Sequence, residues 1–140
     1  MAKIGVGLIG ANPDRGWALD AHIPALATSD TFELVAVSTS SEDSARRAGD
    51  KFGVPAFANA ADLANHPAVD LVVVSVRIPL HRELVGAAIA AGKMVLCEWS
   101  LGAGLEETVA LAEAAERAGA RGFVGLQARA APAYRHVRNL

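Results

Sequence analysis

The residues of this chain best suited to chemistry open it: Lys3-Ile-Gly-Val-Gly-Leu-Ile-Gly-Ala-Asn-Pro-Asp-Arg-Gly-Trp17. A short apolar run ends in glycine, passes a tight polar loop and enters a helix-like segment. Such a strand–loop–helix start sets a pyrophosphate against free backbone N–H groups at a helix N-terminus. Gly5-x-Gly7-x-x-Gly10 matches the dinucleotide string, yet Gly5 and Gly7 lie inside the apolar run. The physical motif begins where the strand ends and the chain turns. In that frame Gly10 supplies the turn, Asn12 stands where a phosphate approaches closely, and Gly16 is the third glycine with one extra residue before it. Asn tolerates left-handed φ better than most residues. Arg15 and Trp17 flank Gly16 as further binding candidates. The bland reading of the same residues is a glycine-rich turn with no ligand.

Ser38-Thr39-Ser40 follow the second apolar run, where an NAD-specific unit usually carries an acid for the ribose hydroxyls. No carboxylate stands there to repel a 2′-phosphate, and Arg46 and Arg47 lie about two helical turns on, so the residues favour NADP over NAD. Otherwise Ser38–Ser41 is only a turn and cap, and the arginines a solvated face. Arg77 suits a phosphate or a substrate anion. His81, near a helix N-terminus, suits a hydrogen bond to a ribose or substrate oxygen, or is a satisfied surface histidine. His22 reads as a structural helix residue near the glycine loop, His66 as surface, and Cys97 as a small buried strand residue. No His, Cys or carboxylate pair has convincing metal-ligand spacing, so no metal is expected.

Alternating strands and helices must position these groups. Strands are expected at Ile4–Ile9, Phe32–Val37, Pro55–Phe57, Leu71–Val76, Met94–Cys97 and Arg121–Leu126, several of them nearly continuous in apolar residues as buried parallel strands are. The first helix spans roughly Trp17–Thr28 with Ala21, Ala25 and Leu26 inward, and Pro24 bends or interrupts it. Ser41 caps the next helix, Glu42 and Asp43 favour its dipole, and Gly53 ends it. A brief helix fits Ala60–Asn65. Pro79 opens a helix with the stripe Leu80, Leu84, Val85, Ala88 and Ile89. Leu105–Ala118 is amphipathic, with Leu105, Val109, Ala112 and Ala115 inward. Strand–helix units of about 20–30 residues imply parallel strands joined by right-handed crossovers. The expected fold is α/β: a Rossmann-type, doubly wound, mainly parallel six-stranded sheet with helices on both faces.

Composition narrows the function classes. Hydrophobic residues make up 52%, enough for a real core, and the net charge is −2 with the two signs interspersed. That gives no footprint for nucleic acid or an anionic membrane, and no apolar run approaches the ~20 residues that span a bilayer. The chain runs from Met-Ala-Lys straight into a strand, without a signal-peptide pattern. Its one cysteine fits a reducing, cytoplasmic location. From Pro132 to Leu140 the pattern is helical, with no closing cap.

The glycine loop, Val74–His81, Ala91–Leu101 with Glu98-Trp99-Ser100, and Gly125-Leu-Gln-Ala-Arg129 fall in the order and spacing of one scheme. They resemble the N-terminal domain of the glucose–fructose oxidoreductase/inositol dehydrogenase (Gfo/Idh/MocA) family, over essentially the whole chain. Asn12, Gly16-Trp17, Glu98-Trp99 and Leu126–Arg129 look most like its galactose-repressor branch, whose founding type is a non-enzymatic NAD(P)-binding regulator. The resemblance implies an NAD(P)-binding Rossmann domain over residues 1–127, and over 128–140 the start of a helix leading into a second domain not in this sequence. It implies NADP or NAD as cofactor, with Glu98 near the nicotinamide ribose and Arg77 and Pro79 on a loop against the cofactor. The implied substrate of the full-length form is a sugar or polyol. Trp99 stands where the family carries a lysine that assists proton transfer. An indole cannot relay a proton as an ammonium does, so the chain is expected to be inactive alone, with no catalytic residue assigned. A non-catalytic NAD(P)-sensing or protein-binding module is the alternative. Surfaces left open by the second domain imply a homodimer.

Overall fold

The computed structural model describes residues 2–140; Met1, counted in the expected domain, lies outside them. The strands are β1 (Ile4–Ile9), β2 (Phe32–Ser38), β3 (Ala56–Phe57), β4 (Leu71–Val74), β5 (Met94–Glu98) and β6 (Gly122–Gly125). They form one sheet in the order β3-β2-β1-β4-β5-β6, every pair parallel. The helices are α1 (Ile23–Ala27), preceded by a π-helical turn at Ala18–His22, then α2 (Glu42–Phe52), α3 (Ala60–Asn65), α4 (His81–Ala90), α5 (Leu105–Arg117) and α6 (Pro132–Arg138). This is the Rossmann-type α/β fold that the alternation implied, with an all-parallel sheet.

Each strand alternates side chains between two faces, and each face has its own core. Val6, Leu8, Val37 and Val73 pack with Ala18 and Ala48 on the side of α1 and α2. Val72, Val74, Val95 and Cys97 pack with Leu63, Val85, Ile89 and Leu111 of α3, α4 and α5. Gly5 and Gly7 belong to this packing. A methyl at Gly5 would sit 2.0 Å from the carbonyl oxygen of Ala68, and one at Gly7 would sit 2.7 Å from a methyl of Leu63. These glycines let α3 and the segment after it press onto β1.

Local chemistry sets the helix ends. The Ser41 hydroxyl accepts from Ser44 N–H at 3.3 Å, acids fill the first turn of α2, and Gly53 closes it at φ 69°. The first helix differs from expectation. Ile23 N–H donates to Ala18 O, a wide π-type turn, and α1 restarts with Pro24 in its first turn. There the missing proline N–H costs no hydrogen bond. Ala18 is buried, whereas Ala25 is exposed. In α5 the inward residues are Leu111 with the half-buried Thr108, Ala114 and Ala115, while Leu105 is 81% exposed and Val109 44%. Two apolar stripes fit that helix, and its packing on α4 chooses between them. Strand β4 ends at Val74, two residues early; Ser75 N–H still donates to Ile9 O at 3.0 Å, the last ladder bond to β1, before the chain leaves the sheet. Helix α6 is exposed.

These packing contacts predict opposite effects at two glycines. Gly5→Ala should lower the unfolding free energy by about 1–3 kcal/mol through overpacking. Gly86→Ala, in α4 with nothing within 4 Å of the added methyl, should raise it by about 0.5–1 kcal/mol. Urea unfolding midpoints read both, and a Gly5→Ala chain as stable as the parent would show that the segment after α3 does not press on β1 at Ala68.

Candidate functional site

Strand order places the site. Strands β2 and β4 flank β1, and the connections leaving β1 and β4 go to opposite faces of the sheet, so a crevice opens at the carboxyl ends of β1 and β4. A cleft of about 640 Å³ lies along this edge. Gly10, Asn12, Arg15, Gly16, Ser38, Thr39, Ser40 and Arg77 all line it.

The glycine loop is built for this position. Gly10 has φ 90°, and a methyl there would sit 2.2 Å from Ser75 O. Only glycine lets the end of β1 lie against β4 while the backbone turns. Gly10 and Ala11 N–H both donate to Ser38 O, at 2.9 and 3.2 Å. Asn12 Oδ1 accepts from the N–H groups of Asp14 at 2.9 Å and Arg15 at 3.3 Å. The asparagine side chain thus folds its own loop, engaging two N–H groups that would otherwise be free for an anion. Lys51 Nζ donates to Pro13 O, and Arg47 pairs with Asp14 at 2.6 Å, so α2 fixes the loop from outside. Gly16, at φ 110° with open space around it, leaves the mouth of the cleft uncrowded.

At the end of β2 the Ser38 side chain is buried. Thr39 Oγ1 donates to Ser41 O at 3.2 Å and lies 2.6 Å from Ser44 Oγ, while Ser40 is exposed. No carboxylate occupies the end of β2. The arginines do not reach the cleft lining: Arg46 pairs with Asp43 at 2.6 Å, and Arg47 with Asp14 and Asp43. Ser44, Asn59 and Glu83 also line the cleft. Sequence analysis singled out none of them; Ser44 and Glu83 lie inside helices. Only Asn59 carried a signal: Asn59 Oδ1 accepts from Asp62 N–H at 2.8 Å, an N-cap spacing that places it in the β3–α3 loop.

The other candidates lie outside the cleft lining, Trp17 in the loop after β1 and the rest after β4 or at the end of β5. Glu98, the last residue of β5, is met at Oε1 by His22 Nε2 at 2.6 Å, and its Oε2 accepts from the Gln127 amide. Its side chain is 12% exposed and that of His22 20%. Trp17 and Trp99 are 50% and 68% exposed. Pro79 sits in an exposed 3-10 turn, Ile78–Leu80, that leads into α4.

His81 is fully buried rather than a surface or ligand-facing histidine. Its Nδ1 lies 2.8 Å from Ser100 O and its Nε2 3.1 Å from Val76 O, with Cys97 Sγ 3.2 Å from Nδ1. Both ring nitrogens are taken up by these buried neighbours, so neither is free for a ribose. The side chain joins the loops after β4 and β5. Burial, helped by the charge of Glu98, pushes the Cys97 thiol up to about 12, so it stays protonated and is no nucleophile near neutral pH. Among the described residues no three His, Cys, Asp or Glu side chains converge on a metal position, and no helix is long and apolar enough to cross a membrane.

Known proteins share this architecture. Residues 4–126 match the family model of the Gfo/Idh/MocA oxidoreductases, NAD-binding Rossmann fold. The dehydrogenase aclE of Aspergillus oryzae is 37% identical over 137 residues, 93% of this chain and 37% of that protein. The galactose/lactose metabolism regulatory protein GAL80 of Saccharomyces cerevisiae is 26% identical, covering 94% of this chain and 32% of its own length. Among solved structures, KijD10, a 3-ketoreductase from Actinomadura kijaniata in complex with NADP, superposes with a TM-score of 0.87 at 28% identity, over 99% of this chain and 43% of that one. This chain therefore spans well under half the length of these relatives.

The buried thiol yields a direct check. Native Cys97 should not react with a thiol-specific disulfide reagent near pH 8.5, about where a free cysteine titrates. It should react fully in guanidinium. Rapid reaction of the native chain, rising through that pH, would show that the strand end is open and the thiol unshifted.

Proposed function

We propose that this chain, which belongs to the Gfo/Idh/MocA family of oxidoreductases, binds a nicotinamide dinucleotide at the β1–β4 crevice, and NADP in preference to NAD. One observation carries the reading. The cleft joins the Gly10–Gly16 turn to the hydroxyls of Ser38–Ser40, with no carboxylate at the end of β2. A pyrophosphate fits over Gly16 and the turn beyond it, with Arg15 and Arg77 beside it. The adenosine ribose fits over Thr39 and Ser40, where a 2′-phosphate meets hydroxyls and no opposing charge. When bound, the cofactor supplies hydride chemistry; the protein supplies its binding and orientation. Sugar and polyol chemistry among the relatives, an inositol 2-dehydrogenase and a 1,5-anhydro-D-fructose reductase included, supports a hydroxyl-rich substrate for the full-length form. The remaining length of those relatives is where substrate positioning would come from, so this chain alone should turn over slowly at best.

A regulatory reading has its own support. Trp99 is large, apolar and 68% exposed beside Glu98, which suits a sensing or protein-binding surface of the GAL80 kind. A cofactor-binding chain that never reduces its cofactor with any sugar or polyol would favour it. Self-association is also part of the proposal: Leu105, Val109, Phe123 and Leu126 are exposed apolar residues, and such patches pair most often as symmetric dimers.

Calorimetric titration tests the central claim. Saturable binding is expected for both cofactors and is tighter for NADP. No binding of either at about 1 mM, a level that detects even a weak site, would remove the function while leaving the fold. Thr39→Asp, which places a carboxylate at the end of β2, should shift the NADP/NAD affinity ratio at least about tenfold toward NAD. An unchanged ratio would move the adenosine ribose elsewhere. In sedimentation, only monomer at high micromolar concentration would exclude the dimer.

A further inference from the structure

We propose that His22, oriented by Glu98, accepts the hydroxyl proton when an alcohol is oxidised at this site. The inference rests on the cofactor reading above and adds the residue that takes the proton.

A dinucleotide across the switch point puts its two halves on opposite sides of it. With the adenosine ribose over Ser38–Ser40, the nicotinamide half lies toward the carboxyl ends of β4 and β5. Glu98 ends β5, and His22 ends the π-helical turn that follows the glycine loop. Their contact therefore lies on the redox side of the crevice. Wide π-type turns recur at functional sites, and this one carries His22 toward β5.

An ionised carboxylate only accepts, so the 2.6 Å contact is Nε2–H donating to Glu98 Oε1. The Gln127 amide holds Oε2 and keeps the carboxylate from turning away. In the neutral ring Nδ1 is then the unprotonated nitrogen. It makes no hydrogen bond to another described residue, and no buried side-chain nitrogen or oxygen among the described residues lacks a partner. Nδ1 is therefore not sealed from solvent, and its lone pair is available. A carboxylate that fixes one ring nitrogen so that the other can act as a base is the arrangement general-base histidines use.

The neighbours cannot do the same. His81 has both nitrogens against carbonyls, Cys97 is a buried thiol, Arg77 is a guanidinium that does not deprotonate, and Trp99 has no basic atom. The step balances. The substrate C–H bond breaks and both its electrons go with the hydrogen to the nicotinamide of bound NAD(P)⁺. The O–H bond breaks, its proton moves to His22 Nδ1, and a C=O bond forms. The imidazolium is stabilised by Glu98 and returns its proton to water at its exposed edge. The fitting substrate carries a hydroxyl on the reacting carbon.

The test uses the purified chain and three readouts. Diethyl pyrocarbonate acylates accessible unprotonated imidazole, mapped by mass spectrometry. His22 should be modified, and saturating NADP⁺ should slow this about tenfold or more, while 2′-phospho-ADP-ribose, which lacks the nicotinamide, should protect it far less. ¹⁵N spectra should show the Nε2–H tautomer, mixed in Glu98→Gln. In single-turnover reduction of bound NADP⁺ by a panel of sugars and polyols, His22→Gln should be slower by about 10²-fold or more at unchanged NADP⁺ affinity, with partial rescue by imidazole. If NADP⁺ binds but leaves His22 modification unchanged, or if His22→Gln equals the parent, the proton-accepting role is overturned and the cofactor reading stands. Where the parent reduces NADP⁺ too slowly to follow, the NADP⁺ protection and the tautomer decide, and a ring that is not Nε2–H in the parent, or is unchanged in Glu98→Gln, overturns the role. Failure of NADP⁺ to bind at all is read separately, by calorimetry, and brings down the cofactor reading itself.

Discussion

The crevice depends on how closely the end of β1 lies against the start of the β4 loop. Gly10 has no side chain, and Ser75 O occupies the space a methyl would need. Ser75 N–H in turn donates to Ile9 O, while Gly10 and Ala11 N–H are held by Ser38 O. Three strand ends are thereby locked together by backbone alone. The loops leaving β1, β2 and β4 fan out from that point, and with the β3–α3 loop and the first turns of the helices that follow they line the cleft. A bulkier residue at position 10 would part β1 from β4 and remove the floor of the site, whatever the lining residues were.

Polar side chains then tie the fan together at longer range. His81 joins the loops after β4 and β5, and Glu98 joins the turn after β1 to the end of β5 and the segment after β6. Both are buried or nearly so, and buried polar groups are worth keeping only when fully partnered. The acid at position 98 is thus a structural junction as well as a site residue. Both its oxygens are held, and what faces outward from the junction is the free edge of His22 rather than the carboxylate itself.

Much of this was legible in residue order. The strand–helix alternation, the Ser41 and Gly53 caps and the displacement of the glycine motif from Gly5 to Gly10 follow from local chemistry, and Gly5 and Gly7 prove to be packing glycines under α3 and the segment after it. What escaped is long-range. The α5 stripe escaped because two apolar stripes satisfy one helical period, and only the neighbour α4 selects the one through Leu111. His81 looked like surface because its sequence position, next to Pro79 and Leu80, is a helix start; burial came from Ser100, nineteen residues on. The His22–Glu98 contact spans 76 residues, and no spacing rule reaches that far.

That last pair changes how Trp99 should be weighed. Read along the chain, an indole where the resembled family carries a lysine removes the only nearby basic group, and the site looks chemically mute. Read in space, the residue just before it holds a histidine whose second nitrogen is unpaired and not sealed from solvent. An ammonium and an imidazole differ in what they do: the first is a fixed cation with three donors, the second can both accept and release a proton. Replacing one by the other on the same edge would shift the burden of proton transfer from the β5 loop to the turn after β1. Trp99 is then left as an exposed apolar side chain, 68% accessible, with no part in the proton transfer.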